Sequence, residues 1–253
     1  MLTVYNCIAH AHDLRLVGLA ALICALASFT AINLLHHVRT SDGRMRQLWL
    51  CVASAATGFG IWATHFIAML AFSPGLPNAY DVALTFLSLV IAVAVTGVGL
   101  AVAASSDRAH GAALGGAIVG GGIVAMHFTG MAAFEVQGQL VWDPALVIAS
   151  IVLGTLIAAL ALPISLRGDA LRWKAVGAIT LTLAICAMHF TAMGAVSIMP
   201  DREIVLTPSS LPANWLAASA ALASVVIIGL ALAGAALDVS IASANGKLNN
   251  SSA

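Results

Sequence analysis

Three histidines, His65, His127 and His189, stand at equal intervals of sixty-two residues, and each has a methionine four positions on: Met69, Met131 and Met193. The flanking residues repeat as well, as Ala63-Thr64-His65-Phe66-Ile67-Ala68-Met69, Ala125-Met126-His127-Phe128-Thr129-Gly130-Met131 and Ala187-Met188-His189-Phe190-Thr191-Ala192-Met193. On an α-helix, positions i and i+4 lie about 40° apart around the axis and about 6 Å along it, so each imidazole shares a face with its thioether. Imidazole nitrogen with thioether sulfur favours copper, above all Cu(I). Mg²⁺ and Ca²⁺ want oxygen, and zinc more often recruits cysteine or carboxylate. Met126 and Met188, directly before their histidines, lie about 100° round the helix and are secondary ligand candidates.

The surroundings of these residues are apolar. The chain has 253 residues, 61% hydrophobic and 8% charged, with mean hydropathy +1.04. A soluble domain needs roughly a quarter of its residues charged, so this is a polytopic membrane protein whose first partner is the lipid bilayer. Ten Lys and Arg against ten Asp and Glu leave no extended basic surface for nucleic acid. Cys7, Cys24, Cys51 and Cys186 form no CxxC or zinc-type spacing; three of them lie in apolar runs and read as small buried residues. No basic segment with an A-x-A site opens the chain, so the first apolar run is expected to be retained.

Apolar runs near 14–36, 48–72, 82–105, 111–134, 144–166, 174–198 and 214–237 predict seven transmembrane helices, all-α, joined by short links. Arg39, Arg44, Arg46, Arg108, Arg167, Arg172, Lys174 and Lys247 fall on one side and only Arg15 and Arg202 on the other. The excess of cations on one side predicts an N-terminus outside and a C-terminus in the cytoplasm. The histidines then lie in the second, fourth and sixth helices, about 10–15 Å deep in the outer leaflet.

The equal spacing marks three copies of a two-helix unit in one orientation, opened by Asp13, Asp81 and Asp143, residues suited to cap helix N-termini. Three such units can close around a pseudo-threefold axis, with the motif helices inside and a seventh helix outside. Residues 1–198 are expected to form this domain, 199–237 an external link and the seventh helix, and 238–253 a disordered cytoplasmic tail. Glycines 97, 99, 115, 116 and 120–122 read as sites of close helix packing. In the central parts of the spans the motif histidines are the only ionisable groups, and intramembrane ionisable groups are functional candidates by default. A copied packing motif, with structural rings of His and Met, and a copper transport or delivery protein are the alternatives.

With these residues the sequence resembles the MHYT domain family of bacterial integral-membrane sensors, named for a repeated Met-His-Tyr-Thr motif. Met126-His127-Phe128-Thr129 and Met188-His189-Phe190-Thr191 match with Phe for Tyr, while the first copy has Thr64 where the leading Met is expected. The resemblance implies a signalling role rather than an enzymatic one. Copper held by the motif's His and Met residues would sense oxygen, carbon monoxide, nitric oxide or redox state. It also implies an output partner, a separate protein such as a cyclic-di-GMP enzyme or a kinase.

Overall fold

A computed structural model describes residues 2–201, 203–204, 206 and 210–251, with the backbone alone for 2, 231–232 and 235–251. Arg202 therefore lies outside the described residues, as do Pro208 and Ser209 of the last link. The helices are α1 (Leu2–Ala11), α2 (Leu14–Thr40), α3 (Gly43–Ala71), α4 (Val82–Ala104), α5 (Ala109–Ala133), α6 (Pro144–Ser165), α7 (Leu171–Gly194) and α8 (Ala213–Ser251). Seven of them, α2 to α8, are long and apolar enough to cross a membrane, and the chain is a multi-pass membrane protein. Arg44 and Arg46, expected in a link, lie in α3; the turn is only Ser41-Asp42, and Gly43 takes φ +53° to open the next helix.

Each unit is closed in the same way where its first helix begins. Asp13, Asp81 and Asp143 are the N-caps of α2, α4 and α6, and their carboxylates accept from Arg15 N (2.8 Å), Leu84 N (2.7 Å) and Ala145 N (2.8 Å). The backbone N–H of each cap donates to the end of its own unit's motif helix: Asp13 to Ala71, Asp81 to Ala133 and Asp143 to Ala195, at 2.8–2.9 Å. The residue before each cap then pairs antiparallel with the residue after that helix end, His12 with Phe72, Tyr80 with Phe134 and Trp142 with Val196. Among the described residues four short strands carry the pairing further: β1 (Asn78–Tyr80) with β2 (Phe134–Val136), and β3 (Gly138–Trp142) with β4 (Val196–Pro200). These strands sit in links read from sequence as plain turns. They are three to five residues long and pair with segments far along the chain, so alternation within one run could not reveal them. Asp81→Ala, which frees the N–H of Leu84, is expected to cost about 1 kcal/mol, read as a lower thermal midpoint in detergent that Asp81→Ser largely restores.

Within a unit, α2 packs on α3, α4 on α5 and α6 on α7; between units, α3 meets α4, α5 meets α6, and α7 returns to α2, so six helices close a ring. Glycine sets the spacing where backbones touch. A Cβ at Gly99 would stand 2.6 Å from the Gly115 carbonyl oxygen, and one at Gly120 would stand 2.7 Å from the Thr155 Cα. Helix α8 packs outside the ring on α3 and α2. It is continuous to Ser251, so residues 238–251 are helical where their polar composition leads one to expect disorder; a helix already nucleated adds one hydrogen bond per residue it gains.

Candidate metal centre

Helices α3, α5 and α7 each present one motif histidine to the middle of the ring. His65 lies six residues before Ala71, His127 six before Ala133 and His189 five before Gly194. At 1.5 Å per residue that is about 7.5–9 Å from the helix ends, nearly the same level in all three helices. All three are buried, at 3%, 0% and 5% exposure. Their ring centroids are 4.9, 5.1 and 5.3 Å apart and the planes nearly perpendicular, at 77–89°.

The Nδ1 atoms converge. His65 Nδ1 is 3.2 Å from that of His127 and 3.3 Å from that of His189. A neutral imidazole Nδ1 offers either one proton or one in-plane lone pair, so His65 cannot satisfy both neighbours. At least one contact leaves two like groups facing each other in a dry site, which is unfavourable. A single cation between the rings would meet all three lone pairs at once. The three ligand nitrogens lie within 4.8 Å of one another, close enough for one ion to reach all of them. The opposite Nε2 atoms are buried without hydrogen-bond partners. That of His65 faces Gly130, where a Cβ would stand 2.6 Å away, so glycine here makes room for the ring.

Beside the rings is a cavity with about 20 Å³ of room for the centre of a water-sized sphere, enough for one water or ion. Ile61, Ile123 and Ile185, one turn before each histidine, line it, and so do Met126 and Met188. Met69, Met131 and Met193 are equally buried, at 2%, 1% and 1%, but do not line it. Helical side chains lean toward the N-terminus of their helix, so the histidines reach down to the level of the preceding turn, and the later methionines belong to the turn above. Of the expected donors, the structure thus gathers the three histidines with the two secondary methionines.

The motif phenylalanines form contacts in cyclic order that sequence reading missed. Tyr80 of the second unit lies against Phe66 of the first (5.7 Å between centroids), Trp142 of the third against Phe128 of the second (5.6 Å), and His12 of the first against Phe190 of the third (5.7 Å). The signal was present: a ring-bearing residue precedes every repeated Asp. Burial holds His12 below the usual histidine range and pushes the Tyr80 phenol up, so both are neutral at pH 7. Toward the other end of the bundle the polar groups are spoken for: Lys174 Nζ donates to Asn33 Oδ1 at 2.7 Å, and His36 Nε2 lies 3.1 Å from the Ser165 carbonyl oxygen.

This repeated architecture has a match among known families. The profile of the MHYT repeat, described as a bacterial signalling protein N-terminal repeat, matches three times, over residues 58–116, 120–178 and 183–249. The chain belongs to the MHYT family. Each matched MHYT repeat starts inside a motif helix and runs into the next unit, so the third takes in α8; in space it is α2, not α8, that fills the place between α7 and α3. An uncharacterized signaling protein of Caulobacter vibrioides is 40% identical over 88% of this MHYT chain and 28% of its own length. The bifunctional diguanylate cyclase/cyclic di-GMP phosphodiesterase MucR of Pseudomonas aeruginosa is 34% identical over 88% of this chain and 33% of its own. The cyclic di-GMP phosphodiesterase NbdA of the same organism is 36% identical over 79% and 27%. The chain thus spans about a third or less of these relatives. No solved structure matches it.

Proposed function

We propose that this MHYT domain is the sensing part of a signalling system in the bacterial inner membrane, N-terminus outside and C-terminus in the cytoplasm, and that His65, His127 and His189 hold copper on a pseudo-threefold axis. The convergence of three buried Nδ1 atoms carries the reading. Three neutral imidazoles, with Met126 and Met188 lining the same cavity, make a nitrogen–sulfur donor set that suits copper and fits it without an added carboxylate. Copper there supplies a site that a diatomic gas (oxygen, CO or NO) or a change of redox state can act on. The cavity is lined almost wholly by apolar side chains, Ile61, Ile123 and Ile185 among them, with no acid in its lining to relay a cation onward, which favours a sensor over copper transport.

Because the histidines come from three different helices, any change in the preferred donor geometry shifts α3, α5 and α7 against one another. A signal results to the extent that the stimulus binds two packings of the ring with different affinity. The names of MucR and NbdA point to a cyclic-di-GMP enzyme as the receiver of that shift, with a kinase as the other choice. The decisive measurement is metal content by mass spectrometry on detergent-purified protein, wild type beside His65→Ala, His127→Ala and His189→Ala. About one copper per chain is expected in the wild type and under about a tenth of that in each variant. A folded wild type that stays metal-free after copper reconstitution overturns the reading.

A further inference from the structure

Beyond Lys174 and His36, at the end of the bundle away from the capping aspartates, two successive seams between units hold pockets built from the same positions. Six residues lining the pocket between α3 and α4 recur, at the sixty-two-residue interval of the histidines, in the pocket between α5 and α6. Three of these correspondences decide the chemistry: Arg46 becomes Arg108, Ala104 becomes Leu166 and Ser105 becomes Arg167. At the first seam the protein itself satisfies the cation. Arg46 Nη2 donates to the Ala104 carbonyl oxygen at 3.2 Å and to Ser105 Oγ at 3.1 Å. At the second seam the hydroxyl acceptor is gone, and a second guanidinium stands in its place.

Arg39 of α2 also lines this second pocket, held by the carbonyl oxygens of Ala103 (3.3 Å) and Ser106 (2.9 Å) and by Asp107 Oδ1 (3.2 Å). Three guanidiniums thus face one carboxylate, that of the fully exposed Asp107. The Arg167 guanidinium lies 5.3 Å from the centre of the Trp173 ring; such stacking occupies the face of the group and leaves its N–H edges free. Among the described residues, neither the Arg108 nor the Arg167 side chain donates a hydrogen bond to the protein. Arg108 is moreover the N-cap of α5, where the helix dipole already places positive charge and the first N–H groups lack partners within the helix. An excess of cations on one side orients a membrane chain, but it does not require them to converge on a helix N-terminus without an acceptor. The pocket has about 170 Å³ of room for the centres of water-sized spheres, against about 10–15 Å³ for a single water, so it takes a polyatomic anion with part of its hydration.

We propose that this pocket binds a phosphate group, free or carried on an anionic lipid, which supplies the acceptor that Ser105 supplies at the first seam. The planar forks of Arg108 and Arg167 match phosphate oxygens in pairs, and the start of α5 adds backbone donors. Arg39, Arg108 and Arg167 belong to three different units, so a bound phosphate ties the units together at the end of the ring opposite the histidines. The site is separate from the histidine cavity and needs no metal there.

The test is the thermal midpoint of the full chain in neutral detergent, titrated in one arm with inorganic phosphate against chloride at equal ionic strength, and in the other with micelle-dispersed phosphatidylglycerol against phosphatidylcholine. The wild type is expected to be stabilised. A rise with inorganic phosphate alone identifies a free anion, a rise with phosphatidylglycerol alone a lipid headgroup, and a rise with both the phosphate chemistry they share. Arg108→Gln and Arg167→Ser are each expected to raise the half-saturating concentration about tenfold or more, Arg167→Ser because it also returns to Arg108 the hydroxyl acceptor of the first seam. Arg46→Gln takes the same charge from the first pocket, where the protein supplies the acceptors; it is expected to lower the midpoint and leave the half-saturating concentration unchanged. No rise in either arm overturns the site, as does wild-type binding in both Arg108→Gln and Arg167→Ser. An Arg46→Gln variant that binds as weakly as Arg108→Gln also overturns it, since overall positive charge then accounts for the effect.

Discussion

His127→Leu is expected to abolish copper binding while the metal-free protein stays folded, its stability within about 1–2 kcal/mol of wild type. The two halves of this outcome have different causes. Metal is lost because one of three converging donors has gone, and the other two, on α3 and α7, cannot close the triangle. Stability is spared because the apo site is already unfavourable: His65 Nδ1 cannot satisfy both neighbours, and the Nε2 of all three rings is buried without a partner. Replacing a buried, unsatisfied polar group with an apolar one of similar volume removes that penalty, whereas His127→Ala leaves a void that costs about 2–5 kcal/mol. Copper content and the thermal midpoint of the metal-free protein separate these effects. A leucine variant that still takes up copper sinks the three-histidine site.

Gly115→Val is expected to destabilise the fold by more than about 3 kcal/mol, seen as loss of the monodisperse species on size exclusion. A Cβ at Gly115 would stand 2.5 Å from the Gly99 carbonyl oxygen and 2.7 Å from the Ala103 backbone nitrogen. These are backbone atoms and cannot rotate away, so α4 and α5 would have to separate along much of their length. In lipid, helix pairs are held largely by van der Waals packing, which the separation forfeits. Gly121→Val on the same helix is the control. Nothing lies within 4 Å of a Cβ there, and the change is expected to stay within about 1 kcal/mol. Equal damage from both variants would mean that helix propensity, not close approach, sets the effect.

The motif helices show how far local pattern carries. Phe66, Phe128 and Phe190 repeat in sequence as plainly as the histidines, yet their partners Tyr80, Trp142 and His12 belong to other units, and only the ring places them together. The methionines make the same point inside one helix. Angular position favoured Met69, Met131 and Met193 as companions of the histidines, but the cavity is lined by Met126 and Met188, because the lean of the side chains carries the site down a turn.

The sequence by itself determined the seven spans, the two-helix unit, the capping role of Asp13, Asp81 and Asp143 and the common level of the three histidines. All of these follow from hydropathy, spacing along one helix and hydrogen bonds to residues two or three positions away, which are properties of short stretches of chain. Only the tertiary structure decided that the histidines meet through Nδ1, that α2 rather than α8 closes the ring and that the links zip into short strands. Those relations join residues far apart in the chain, and their geometry is set by how closely glycine lets the backbones approach. No single stretch of sequence contains both partners.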